Sequence, residues 1–258
     1  MKYILGVDAA WTYTNPTGIA LVQADATELS AVFVARSYAE FLAGRRDWSV
    51  SPKGTPPDFK AILEKCKSKG ISVDLVALDI PLSPKPITTR RESDIQISRL
   101  YGGRGAATHS PTPQRPGVVS EIIFSQLMQQ GYHWNGDSSV HSFIEVYPHT
   151  AILELFGYSY RLAYKVQNRA KYWRELSSQQ QMINVIKNMN ELRQKIIEKI
   201  PNVSVKLPEA KIDMDIVTLK SIEDALDALI CALTGFSYMQ GKVKRYGDDT
   251  SGIWVPIG

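Results

Sequence analysis

Ile4-Leu5-Gly6-Val7-Asp8 and Leu75-Val76-Ala77-Leu78-Asp79 decide the fold. Each is an unbroken apolar run closed by an aspartate, the pattern of a strand covered on both faces in a parallel sheet. Between them, Pro57-Asp58 opens a stretch over 59–69 in which Phe59, Ile62, Leu63 and Cys66 recur at helical spacing, and Gly70 ends it. Strand, helix, strand implies a right-handed crossover, so the second run lies parallel to a neighbour.

Outward from this unit, residues 17–22 and 31–35 read as two more strands, the first reached through a loop that holds Asn15-Pro16. Residues 83–141 depart from alternation, with five prolines, the stretch Gly102-Gly103-Arg104-Gly105 and one clear helix near 118–130. So many turn residues indicate an insertion lying over one end of the sheet. Residues 142–146 resume the sheet, and helices are expected at about 150–156, 171–176, 179–199 and 221–239. A tail at 252–256 is expected as an edge strand. The expectation is one α/β domain over 1–258 with an insertion at about 83–141.

With 258 residues, 44% hydrophobic and 22% charged, the chain has the composition of a soluble globular protein large enough for a substantial core. A formal charge of +4 tilts it modestly toward anionic partners. Cys66 and Cys231 each sit in an apolar helical pattern, which argues against a disulfide scaffold or a cysteine zinc site and fits a reducing cytoplasm. The apolar run before Asp8 is too short for a signal sequence, and no run reaches membrane-spanning length, so no membrane partner is expected.

Three strand ends carry acids: Asp8, Asp79 and, in Phe143-Ile144-Glu145, Glu145. In open α/β sheets ligands bind beyond the carboxyl ends of parallel strands, where these groups converge. Each alone also reads as a turn-forming residue. The segment Ile222-Glu223-Asp224-Ala225-Leu226-Asp227-Ala228-Leu229 adds two acids three residues apart, in a helix apolar nearly all round. Like charges at that spacing destabilise a helix by roughly 0.2–0.5 kcal/mol, so a compensating cation is expected. The alternative for Glu223 and Asp224 is a helix start capped by Ser221.

Gly6-Val7-Asp8-Ala9-Ala10-Trp11, Leu78-Asp79-Ile80-Pro81-Leu82, Ile144-Glu145-Val146-Tyr147-Pro148-His149 and Asp224-Ala225-Leu226-Asp227-Ala228 together resemble the ribonuclease H-like superfamily. The likeness extends to its Holliday-junction resolvase branch and, more closely, to an uncharacterised bacterial and archaeal family of predicted nucleases. It covers nearly the whole chain. The resemblance implies a mixed five-stranded sheet of order 3-2-1-4-5 with strand 2 antiparallel. It further implies a metal-dependent nuclease that hydrolyses phosphodiester bonds of DNA or RNA with two Mg2+ or Mn2+ ions, about 3.5–4 Å apart in such enzymes. Asp8 would bridge both ions, Asp79 would bind one and Asp227, helped by Asp224, the other. The resolvase branch carries glutamate where this chain has Asp79, and Glu145 is the substitute ligand or general base.

Basic residues give independent support for nucleic acid. Arg161, Lys165, Arg169, Lys171 and Arg174 interleave with Tyr158, Tyr160, Tyr164, Tyr172 and Trp173, while Lys85, Arg90, Arg91, Arg99, Arg104 and Arg115 fall in the insertion. Of these, Arg90, Arg91, Arg104, Lys165, Arg169 and Lys171 are the candidate nucleic-acid contacts. His109, His133, His141 and His149 lack metal-ligand spacing, although His149 could act as a proton shuttle. Two other readings remain: an actin-like or sugar-kinase-type phosphotransferase, against which no second glycine-rich hairpin appears, and a catalytically silent nucleic-acid-binding module. A homodimer is compatible with the sequence.

Overall fold

The computed structural model describes residues 1–136 and 141–257. Strands β1 (Lys2–Asp8), β2 (Gly18–Ala24) and β3 (Leu29–Ala35) form an antiparallel meander. Helices α1 (Tyr38–Ala43) and α2 (Phe59–Lys67) lead to β4 (Leu75–Leu78), which pairs parallel with β1. The Asp58 side chain accepts from Ala61 N–H at 2.9 Å and caps α2. Helices α3 (Glu92–Tyr101) and α4 (Val118–Gln129) and the two-residue strand β5 (His133–Trp134) follow. After them come β6 (Ser142–Val146), α5 (Pro148–Phe156), the single turn α6 (Arg169–Tyr172) and α7 (Ser178–Lys199). The chain then runs through α8 (Ile216–Met239), β7 (Val243–Asp248) and β8 (Ser251–Pro256).

The sheet order is β3-β2-β1-β4-β6-β8-β7, with β5 also on β6. Its first five members reproduce the expected 3-2-1-4-5 order with β2 antiparallel, and β5, β7 and β8 enlarge it. Residues 252–256, expected at the edge, are internal: they lie in β8, which runs parallel to β6 and antiparallel to β7, and β7 takes the edge. Both faces are covered. One core joins Ile4, Leu75, Ala77, Ile144 and Val146 to α5, α7 and α8, and the other joins Leu5, Val7, Val76, Leu78 and Phe143 to α1, α2 and α4. Strand alternation makes that division. The proposed insertion takes part in these layers, because α4 belongs to the second core and α3 packs on β7 and β8. Part of that insertion, residues 137–140, lies outside the described residues. Among the described residues no helix is long and apolar enough to cross a membrane.

Helix α8 begins five residues before Ser221, with Asp215 accepting from Thr218 N–H at 2.6 Å as its cap. Glu223 and Asp224 therefore lie beyond the first turn, where the helix dipole no longer accounts for them. Glycines let α8 approach the sheet closely. A Cβ on Gly6 would stand 2.1 Å from Ala228 O, and one on Gly18 would stand 2.1 Å from Asp224 O.

Candidate functional site

Register places the acids. Val7 pairs with Leu78 and Asp79 N–H donates to Val7 O at 2.8 Å, so Asp8 and Asp79 are neighbours at the carboxyl ends of two parallel strands. Both share the parity of Ile4, Gly6, Leu75 and Ala77, which face α8. Gly18 pairs with Asp8 and lies against the backbone of Asp224, which brings the acidic turns of α8 over the same strand ends. Glu145 pairs with Leu78 and so has the opposite parity. It receives Arg91 at 2.6 and 2.7 Å and Leu82 N–H at 2.7 Å, while Arg91 also binds Asp94 at 2.9 and 3.0 Å. Glu145 and Asp94 hold the Arg91 guanidinium firmly charged.

The cation beside the α8 acids is supplied by the chain itself. Lys165 pairs with Asp227 and lies 3.3 Å from Glu223, and Lys220 pairs with Asp224 and lies 2.9 Å from Glu223. Tyr164 OH donates to Asp227 at 2.5 Å, and Val166 N–H donates to Glu223 at 2.8 Å. Burial opposes the charge on Lys165, but Asp227, Tyr164 and Glu223 outweigh it and hold the ammonium protonated. Lys165, a candidate nucleic-acid contact by its sequence neighbours, is engaged by these acids instead. The spacing of Lys220 to Glu223 and Asp224 was the one visible signal for this network.

Asp8 and Asp79 differ from the other acids, since neither carboxylate makes a hydrogen bond or close ion pair among the described residues. Burial pushes Asp8 well above the usual carboxylate range, and repulsion from Asp227 and Asp224 adds to it against the pull of Lys165. Burial likewise raises Asp79 to about 8, with Asp227 adding and Lys165 opposing. Asp8 and Asp224 line a cleft of about 260 Å³ with Trp11, Arg115, Lys165 and Lys220.

A hard divalent ion such as Mg2+ takes one or two protein carboxylates and completes its shell with water and phosphate oxygens. The donor-free oxygens of Asp8 and Asp79 fit that role. Asp227 has no free oxygen, because Tyr164 takes one and Lys165 the other. Among the described residues no three His, Cys, Asp or Glu side chains are arranged to hold one ion.

The candidate nucleic-acid contacts divide. Arg91 is buried in its ion pairs, and Arg104 binds Glu154 at 2.5 Å and Tyr158 O at 2.7 Å. Arg90 donates to Asp94 O at 3.2 Å and Arg169 to Val166 O at 2.9 Å. Lys165 serves the acids, and Lys171 is exposed without an ion pair among the described residues. Of the histidines, His149 is buried at the start of α5 between the rings of Tyr147 and Tyr164, with centroids at 5.4 and 5.7 Å. His141 stands 2.8 Å from Val73 O.

No curated protein matches the chain. The family described as "Protein of unknown function (DUF429)" matches residues 6–251, and the chain belongs to that family.

Proposed function

We propose that this chain is a divalent-metal-dependent nuclease that hydrolyses phosphodiester bonds, with Asp8 and Asp79 as the ion's protein ligands. One observation carries the reading: two neighbouring strand-end carboxylates are desolvated and without donors of their own, and Asp8 of the pair lines a cleft with cationic walls. Bound there, Mg2+ or Mn2+ would lower the pKa of a coordinated water and offset charge on a phosphoryl oxygen. The chain's own groups do the rest. Lys165 and Tyr164 fix Asp227, and Lys220 fixes Asp224 and offers positive charge to an incoming phosphate. The arrangement favours one ion, since a second on Asp227 would have to displace Lys165. Resemblance to ribonuclease H-like nucleases is the other support, and the sheet order is compatible with it.

The test is a cleavage screen with Mn2+ over single-stranded, duplex, hybrid and branched DNA and RNA. Wild type should cut at least one substrate and Asp8→Asn none, while calorimetry should record Mn2+ binding that both Asp8→Asn and Asp79→Asn abolish. Equal cleavage by wild type and Asp8→Asn would remove the reading. A catalytically silent nucleic-acid-binding module is the second reading, favoured by the engagement of Asp227. It predicts substrate binding without cleavage.

A further inference from the structure

Beside the acidic cleft lies a group of cations that the mechanism above leaves unused. Arg161, Arg115 and Lys171 make no ion pair among the described residues. Arg161 is fixed by its surroundings: its N–H donates to Arg104 O at 2.9 Å, its Nη2 to Tyr172 OH at 3.2 Å, and its guanidinium lies 5.8 Å from the Tyr172 ring centroid. Its Nε is nonetheless buried without a partner. Arg115 is exposed, stands 5.7 Å from the Trp11 ring centroid and lines the cleft with Asp8.

A second orphan lies in the same neighbourhood. His149 is 7% exposed, and its Nδ1 is buried with no partner. Its ring packs on Tyr147, whose OH donates to Ala107 O at 2.9 Å and so ties the loop that carries His109 to the start of α5. Burial and then Arg161 and Lys165 hold His149 well below the usual imidazole range, and His109 is lowered by burial and by Arg161, Arg115 and Lys171. Cations gathered without a counter-charge, beside a buried guanidinium N–H and a buried imidazole nitrogen that both lack partners, form a receptor for an anion with several acceptor oxygens. Carboxylates do not compete, because the acids nearby are already held by Lys165 and Lys220 or belong to the Asp8 and Asp79 pair.

We propose that Arg161, Arg115 and Lys171, with His149 at their base, form a phosphate subsite that takes a phosphate of the nucleic-acid substrate next to the one cleaved at Asp8. The assignment rests on the nuclease reading for the identity of the ligand, but the subsite itself needs no metal. It also redirects the sequence expectation, in which Arg91 and Arg104 served this purpose. Those two guanidiniums are spent on Glu145, Asp94 and Glu154.

Two titrations separate the parts of the proposal. Inorganic phosphate is titrated calorimetrically into metal-free protein in chloride buffer, and a single-stranded octanucleotide is titrated in parallel. Wild type and Asp8→Asn should each bind one phosphate, and Arg161→Met should weaken it at least tenfold. The double variant Arg115→Met with Lys171→Met alters only exposed side chains, so it keeps the test valid if Arg161→Met fails to fold. It should weaken both ligands and lower the salt slope of oligonucleotide binding by about 0.7 per lost contact. Phosphate binding unaltered in the double variant, or absent from wild type, overturns the subsite. Phosphate binding lost while oligonucleotide affinity holds overturns the substrate assignment. Phosphate binding by a wild type that cuts no substrate refutes the nuclease reading and leaves the subsite standing.

Discussion

Gly18→Ala should separate α8 from the strands that carry the acids. The new methyl carbon would stand 2.1 Å from Asp224 O and 2.5 Å from its carbonyl carbon, whereas ordinary contact begins at 3.4 Å. Strand and helix must part by about 1.3 Å, the difference between those values. Both surfaces are backbone, so no side-chain rotation relieves the clash. Overpacking of this kind costs about 1–3 kcal/mol. For a chain of this size that corresponds to a Tm fall of about 2–12 °C. A displacement of about 1 Å between the acids of α8 and Asp8 should also lower any cleavage rate about 100-fold. Differential scanning calorimetry reads the first effect and Mn2+ titration with the cleavage assay the second. Gly103→Ala is the control, since nothing lies within 4 Å of its added carbon. A Gly18→Ala protein with the Tm and Mn2+ affinity of wild type would refute the claim that glycine contact positions α8.

Lys165→Met strips the ammonium from Asp227 and Glu223 and should destabilise the protein by about 3–5 kcal/mol. Denaturant unfolding with and without Mn2+ checks it, and added Mn2+ should restore part of the loss. Arg91→Met leaves Glu145 and Asp94 buried without their partner and should cost a similar about 3–5 kcal/mol, while metal affinity at Asp8 stays unchanged. Stability should also depend on pH through Asp79. Its folded pKa of about 8 lies above the unfolded value near 3.8, so its contribution is complete below about pH 4 and is lost as pH rises through about 8. Metal-free wild type should thus lose Tm between about pH 4 and 8 in thermal scans, and Asp79→Asn should flatten that slope. Asp58→Ala should cost about 1 kcal/mol by removing the cap of α2, with no effect on Mn2+ binding.

Periodicity made the central sheet legible because β1 and β4 are apolar on both faces and α7 repeats Val185, Met189, Leu192 and Ile196 every three or four residues. Residues 92–101 escaped because α3 mixes buried Ser93, Asp94, Ile97 and Tyr101 with exposed Ile95 and Leu100. β7 escaped because it is an edge strand of Lys, Arg, Tyr, Gly and Asp with little apolar signal. At the site, strand ends marked Asp8 and Asp79, and parity within the register separates Glu145 from them. Counting from the paired residues Leu78 and Glu145 shows that Val146, not Glu145, shares the face of Asp79. The Lys165 contact with Asp227 spans 62 residues and the Arg91 contact with Glu145 spans 54, separations at which no local pattern reports a partner.

Translation order bears on the border of β6 that β5 and β8 share. Residues 251–256 leave the ribosome only after α8, yet they cover the half of β6 that leads into α5. Until then a nascent chain presents unpaired peptide groups at Glu145 and Val146, beside a helix that is already competent to dock. Sealing that border is a late event in biogenesis, and a ribosome stalled before residue 251 would leave a sticky half-strand for chaperones to shield.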